Sequence, residues 1–439
     1  MGKRENFAIL LILLLGTQPG VTYGFENTAP MPPPAIYVNE TGWWYDGQQF
    51  NASLTPIQSA VNNATAGDTI IIKDGTYIEN VEVETSSLTF RSENGSDHTI
   101  VKAAHEWAHV FTVTASDVNM SGLTVTGTSY SRIAGICLKD ARNCNISNNA
   151  ATGNFFGIYL ADDSSNCIVS NNLAYSNIRP GIVLHGAFDN IITNNTAYSN
   201  GGSGCALSWS SHNNTLSNNT IYSGYVGIGS GNGAYNNIIR DNNIQNMSAS
   251  AVRIIYSTHN SSISNNQISN CGVGIEITEG FDNRVYHNKI SSSENGTSLT
   301  RSSGNRIYLN NFINNKNEVY SENSTDNHWN STDEMRYTYN NTTHTDYLGN
   351  YWDGYNGDDE DDDGIGDTSF DMGYATDDHP LVKHFEEYRI IASATADAAL
   401  ALEIAVGRRQ FNQMADSNGD GVVTSLDALM ILQAATGNI

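Results

Sequence analysis

The chain has 439 residues, with 46 acidic against 21 basic side chains and a formal net charge of −25. That balance excludes nucleic acid and anionic membrane surfaces as main partners, and it favours solubility and divalent cations. The length leaves room for two or three domains.

Residues 1–24 have the form of a secretory signal peptide. Lys3 and Arg4 supply the charged start, and an apolar run follows from Phe7 to Leu15, well short of the roughly 20 residues that span a bilayer. An uncleaved anchor is the alternative. No later segment is apolar enough to span, so the mature chain is expected outside the cell or on its surface, with no membrane span. Glycosylation triplets at Asn39, Asn51, Asn63, Asn94, Asn119, Asn145, Asn246, Asn295 and Asn323 agree with an exported glycoprotein.

Residues 25–66 form an N-terminal segment in which positions 54–64 have the apolar spacing of a short helix, placed to cap a solenoid. Less regular coils follow, in AGDTIIIKDGTYIENVEVETSSLTFRSENGSDHTIVKA. From Gly135 one phrase keeps returning: G-I-x-L, a few polar residues, then N-x-I-x-x-N-N. It runs GICLKDARNCNISNN, GIYLADDSSNCIVSNN, GIVLHGAFDNIITNN, GCALSWSSHNNTLSNN and GIGSGNGAYNNIIRDNN, with three looser copies after these. The late Asn marks the register at Asn149, Asn172, Asn195, Asn219, Asn243, Asn266, Asn288 and Asn311, an interval of about 23 residues.

Each apolar segment is short and alternates with period two, so Ile158 and Leu160 point inward and Tyr159 outward. Gly and Asn punctuate the corners, where left-handed backbone costs them least. The expected fold is all-β, a right-handed parallel β-helix over residues 67–330 with Asn stacked on Asn. Five cysteines (Cys137, Cys144, Cys167, Cys205 and Cys271) match neither a disulfide framework nor a metal motif. Cys144 and Cys167 occupy equivalent places in successive repeats, so a disulfide and packed free thiols both fit.

Residues 331–385 carry an acidic loop expected to seal the far end. Asp359, Asp361, Asp363 and Asp367, with the carbonyl of Ile365, have the spacing of a calcium site; a solvated acidic run is the bland reading. A second loop has Asp416, Asn418, Asp420 and Asp427 at positions 1, 3, 5 and 12 of an EF-hand-type calcium loop, with Gly421 at position 6. Val422 would lend its carbonyl there, and Thr424 sits at the ninth position.

The phrases NATAGDTIIIKDGTYIENV, GIYL…NN and NYWDGYNGDDEDDDGIGDTSFD resemble the NosD-like family of parallel β-helix surface proteins, also described as carbohydrate-binding and sugar-hydrolysis modules. The resemblance implies fold more than activity. No Met/His cluster accompanies it, so the copper association in the family name lacks support in the sequence. His212 and His259 read as one repeat position. Residues 386–439 are similar to a dockerin, an all-α calcium-binding module, because ATADAALALEIAVG and TSLDALMILQAATG look like a duplicated helix. That likeness implies a cohesin-type partner, although the first half supplies no calcium loop.

Outward positions in register define one long face: Lys139, Tyr159, His185, Trp209, Arg253, Tyr256, Glu276 and Glu279. Its aromatic and polar mixture suits a polysaccharide or other glycan. Glu276 and Glu279 are the candidate carboxylate pair of a hydrolase, and Arg253 is the candidate base of a lyase. A surface ion pair between Arg253 and Glu276 is the bland reading. The expected function is an exported, glycan-binding surface protein with a docking tail. A polysaccharide-degrading enzyme and a structural spacer are the alternatives.

Overall fold

The computed structural model describes residues 35–391, 402–405, 423–425 and 428–430. Among them the chain winds into a parallel β-solenoid whose three sheets have 14, 12 and 11 strands. Each coil gives one strand to each sheet, and its hydrogen-bonding neighbours lie one coil before and one coil after. Ile158 pairs with Ile182 and Ile182 with Cys205 on one wall, while Ala151, Ala174 and Ala197 do the same on another. Inward side chains of all three walls form one continuous apolar core. The 11-stranded wall counts the coils, so the solenoid has about 11 turns.

The chain enters through β1 (Ala35–Asn39) and β2 (Gly42–Tyr45), an antiparallel hairpin joined in parallel to the strand Thr69–Ile72 of the first coil. The helix expected at 54–64 is α1, Pro56–Asn63. It buries Ile57, Ala60 and Val61 in the main core. The N–H groups of Ile57 and Gln58 donate to the Glu79 carboxylate at 3.0 and 2.9 Å, satisfying donors that a helix start leaves open.

The corners show why Asn dominates the repeat. Asn148, Asn171, Asn194, Asn218, Asp241, Asn265, His287 and Leu309 all have φ near +55°, a conformation in which Asn and Asp are several-fold enriched. The residue after each of them turns inward and builds a buried amide ladder. Asn172 donates from Nδ2 to Asn195 Oδ1 at 3.1 Å and to the Ile146 carbonyl at 2.8 Å, and the next coils repeat this. In two coils the register residue is not the expected one: Asn242 and Asn310 occupy the ladder, not Asn243 and Asn311. Asn-Asn doublets offer two candidates, and only the one after the left-handed residue points inward.

All five cysteines are free and buried. Cys144 and Cys167 stack at the corner position that Asn190 takes in the next coil, where Cys167 N–H donates to Asn190 Oδ1 at 2.9 Å. Tyr159, expected outside, does sit on the outer side of its wall but is buried there with Cys137 and Val183, against Phe156.

At the far end Tyr351–Trp352 adds a last rung to the strand Asn311–Ile313. Trp352 stacks on Phe312 at 4.3 Å between ring centres. A three-stranded antiparallel sheet (Met335–Tyr339, Thr342–Asp346 and Arg389–Ile390) packs around Leu309, Tyr337, Leu348 and Tyr388. Residues 386–391, expected to open the tail module, therefore belong with the solenoid end; Asn311 Nδ2 donates to Glu386 at 2.7 Å. Of the tail calcium loop, Asp416, Asn418, Asp420, Val422 and Asp427 lie outside the described residues, as does the segment 1–24.

Candidate functional site

On the outer side of the 11-stranded wall one column runs through Tyr159, Val183, Ala206, Gly229, Arg253, Glu276, Ser298 and Tyr320. The small side chains of Ala206 and Gly229 leave the wall low in the middle. Arg253 rises from the strand Ser250–Ile255, and its Nε donates to Glu276 Oε2 at 2.7 Å. Ser250 Oγ donates to the same oxygen. The guanidinium lies 5.5 Å from the ring centre of Tyr225, within cation–π range. Only 24% and 20% of the two charged side chains are exposed, so this pair is screened less than an ordinary surface pair.

The structure brings Arg253 to Glu276 but gives Glu279 a different partner. Glu279 follows the strand Val273–Thr278 in a left-handed conformation, and Arg301 holds it at 2.9 Å. Lys139 reaches Asp162 at 3.7 Å near the other end of the face.

Trp209 and Tyr256 are the prominent features of this face. Both end their strands with φ of 52° and 51°, and both are more than half exposed, at 58% and 54%. The same corner is left-handed in the other coils, at Asp140, Asp162, Asn232, Glu279 and Arg301, so the backbone belongs to the repeat, and what sets these two positions apart is a large exposed ring. His185 stands 5.4 Å from Trp209 and 6.1 Å from Tyr159, continuing the aromatic strip. Burial and the nearby Arg132 lower the His185 pKa, so its ring is neutral at physiological pH.

The acidic loop is the second site. Among the described residues Asp359, Asp361 and Asp363 form the one group of three metal-donor side chains, with carboxylate oxygens within 4.8 Å of one another. The loop is preorganised. Asp359 accepts from the N–H groups of Asp363 and Gly364, each at 3.0 Å, and Asp363 accepts from Ile365 N–H at 2.7 Å. Gly364 has φ of 91°, and a Cβ there would lie 2.7 Å from the Tyr388 ring, so both backbone and space require glycine. Burial, then the neighbouring carboxylates, raises the pKa of Asp359 and Asp363. Asp367, expected as a fourth carboxylate, instead caps Glu360 N–H at 2.7 Å. Ile365 is buried in the end core.

Two features were not singled out from the sequence. Phe188, His212, Tyr235, His259 and Phe281 form a continuous stack, with centroid spacings of 4.7 to 5.4 Å. The repeat position read for His212 and His259 is thus a stacking position, and both rings place Nδ1 3.0 Å from a backbone carbonyl. Beside the stack runs a groove of about 430 Å³ lined by Asn236, Asn260, Asp282, Arg284, Tyr286 and Tyr308. The recurrence of Asn236, Asn260 and Asp282 after the stacked rings is the signal that could have located it.

The profile of the family described as "Periplasmic copper-binding protein (NosD)" matches residues 61–248 and 207–357. No curated protein matches the chain. Among solved structures it is similar to the mannuronan C-5 epimerase A-module of Azotobacter vinelandii, at 17% identity and a TM-score of 0.52, covering 62% of this chain and 90% of that one. It is also similar to the DFA-IIIase of Arthrobacter chlorophenolicus A6, at 14% identity and a TM-score of 0.51, covering 60% and 83%. A tailspike protein of E. coli bacteriophage HK620 in complex with a pentasaccharide gives 13% identity and a TM-score of 0.51, covering 62% and 61%. At these identities the likeness is one of fold.

Proposed function

Since the chain belongs to the NosD family, we propose that it is an exported cell-surface β-helix protein that binds a polysaccharide or other glycan along its 11-stranded wall. The observation that carries this reading is the pair of exposed aromatics, Trp209 and Tyr256, in one corner column of the wall that also carries the half-buried Arg253–Glu276 pair. Aromatic faces beside fixed polar groups provide the apolar contact and orientation that a sugar needs. The fold neighbours named for polysaccharide chemistry support it by analogy alone. In this reading α1 closes the open core at the entry end. Calcium fills the Asp359, Asp361 and Asp363 loop, and a dockerin-like tail with its own calcium loop docks to a cohesin-type protein.

The copper in the family description does not fit the described residues. Copper prefers imidazole and sulfur donors, whereas the converging donors here are three aspartates. His212 and His259 are separated by the Tyr235 ring. The buried ring nitrogens without partners belong to His344 and His379, whose ring neighbours are tyrosines. Hard oxygen donors suit calcium.

A second reading, a polysaccharide-degrading enzyme, is favoured by one observation: Arg253 and Glu276 are in contact on adjacent coils. The experiment is retention on, and chain-end release from, a panel of polysaccharides, with calcium and with a chelator. Retention of intact polymer, weakened by Trp209→Ala, supports the binder. New chain ends that vanish with Glu276→Gln or Arg253→Lys establish the enzyme. Neither retention nor release leaves a structural spacer.

A further inference from the structure

The strand Asn317–Glu322 is the last rung of the 11-stranded wall. The short hairpin of Phe370–Asp371 and Thr376–Asp377 lies over it. Between them is a cleft of about 330 Å³, with Asn317, Glu318 and Tyr320 on the coil side and Phe370, Met372 and Tyr374 on the hairpin side. We propose that this cleft holds a single neutral sugar residue at the end of a glycan, with the tyrosines as walls and the Glu318 carboxyl and neighbouring amides as partners for its hydroxyls. The proposal goes beyond the wall-face reading, since the two sites use different elements and each can fail alone.

Three observations carry it. The volume lies at the lower end of the range for small-molecule sites, which suits one ring rather than a chain. The walls set the apolar Phe370 and Met372 opposite Asn317 and Glu318, with Tyr320 and Tyr374 edge to face at 5.5 Å. Tyr374 is 59% exposed, so part of its ring is available to a ligand. Finally, Asn315 Nδ2 donates to the Glu318 carboxyl at 3.2 Å and so fixes it in the cleft.

Burial, then Asp353, pushes the Glu318 pKa up to about 8. At neutral pH the cleft therefore presents an uncharged acid, able to donate and to accept. Asp371 adds a carboxylate from the hairpin, and Lys316, the nearest cation in sequence, is turned to Glu294 at 2.5 Å. With a net charge of −25 on the chain, this arrangement rejects uronates and favours neutral hydroxylated rings.

The test is saturation-transfer NMR on the mature chain with glucose, galactose, mannose and N-acetylglucosamine at tens of millimolar, and galacturonate as the charged control. Transfer to at least one neutral sugar and none to galacturonate is expected. Tyr374→Ala should weaken binding about tenfold, while Leu54→Ala, on an exposed residue at the opposite end of the solenoid, leaves it unchanged. Raising the pH from 7 to 9.5 should weaken wild-type binding about tenfold, and Glu318→Gln, which stays uncharged, should bind equally at both. No transfer to any neutral sugar, or transfer indifferent to Tyr374→Ala, overturns the proposal. So does pH dependence unchanged by Glu318→Gln.

Discussion

Asn350 donates its backbone N–H to Asp377 Oδ2 at 2.8 Å, and that contact ends a chain of buried amides that begins at Asn149. Every amide in the chain donates forward, Nδ2 to the next Oδ1, from Asn149 through Asn310 to Asn350. A one-way chain needs a final acceptor. Asp377 is that acceptor, also receiving Trp352 Nε1–H at 2.9 Å and His379 N–H at 3.1 Å.

Asp377 should make the stability of the solenoid end depend on pH. Burial raises its pKa to about 6, against the pull of Trp352 and Asn350. The folded state thus binds the proton more tightly than the unfolded chain, whose Asp titrates near about 3.9. This contribution to stability is full below about pH 4 and is lost as the pH rises to about 6, a difference of about 3 kcal/mol. Melting curves of wild type and Asp377→Asn across pH 3.5 to 7 should differ in slope over that window. Parallel curves would show that Asp377 does not titrate there.

Interrupting the ladder should cost more than an average core substitution. Asn195 donates to the Val169 carbonyl at 2.8 Å and to Asn219 Oδ1 at 3.1 Å, while its own Oδ1 accepts two N–H groups from Asn172. Asn195→Ala orphans these partners inside the protein, where each costs about 1–3 kcal/mol. A loss of at least about 3 kcal/mol is expected by chemical denaturation, with hydrogen exchange accelerating first in the coils next to residue 195. Asn243→Ala, off the ladder, should be nearly silent.

The contrast between Asn195 and Asn243 also marks how far the sequence could be read. Period and inward residues followed from repeated apolar pairs, because a solenoid stacks like on like and each repeat restates the pattern. The Arg253–Glu276 contact was legible for the same reason, as equivalent positions in adjacent repeats. Asn doublets hid the ladder register, which depends on backbone conformation. The Glu318–Asp353 pair and the end cleft lie where the repeat stops, and there nothing in the sequence aligns residues 353 and 370–374 with the last coil.

The thiols should be inert in the folded protein. Burial pushes Cys137 and Cys205 up to about 12 and Cys271 up to about 11, so almost no thiolate exists at neutral pH. Mass spectrometry after iodoacetamide treatment should find no alkylation natively and five modified cysteines in denaturant. Only three modified in denaturant would reveal a disulfide, for which Cys144 and Cys167 are the stacked pair.

Trp209 and Tyr256 should trade stability against binding. Glycine takes the left-handed conformation without the steric cost that other residues meet there, a difference of roughly 1 kcal/mol. Trp209→Gly and Tyr256→Gly are therefore expected to hold or slightly raise the melting temperature while retention on the bound polysaccharide falls. If retention is unchanged, the wall face does not carry the glycan.

Calcium should stabilise the solenoid end through the Asp359, Asp361 and Asp363 loop. The three carboxylates converge without a cation side chain among the hydrogen-bond partners of Asp359 and Asp363, and burial with mutual repulsion raises the pKa of both. A bound cation relieves that repulsion and displaces protons, so affinity should rise with pH through the carboxylate range. At a hundredfold excess over the dissociation constant, binding to the folded state alone adds about 2.7 kcal/mol. Because the tail has its own expected loop, the test uses a background carrying Asp416→Asn and Asp420→Asn. In that background calcium should raise the melting temperature and a chelator should reverse it, and adding Asp361→Asn with Asp363→Asn should abolish the response. Copper should fail to substitute, since three carboxylates offer it neither imidazole nor sulfur. A response to copper instead, or none to calcium, would return this loop to an acidic turn held by its own backbone hydrogen bonds.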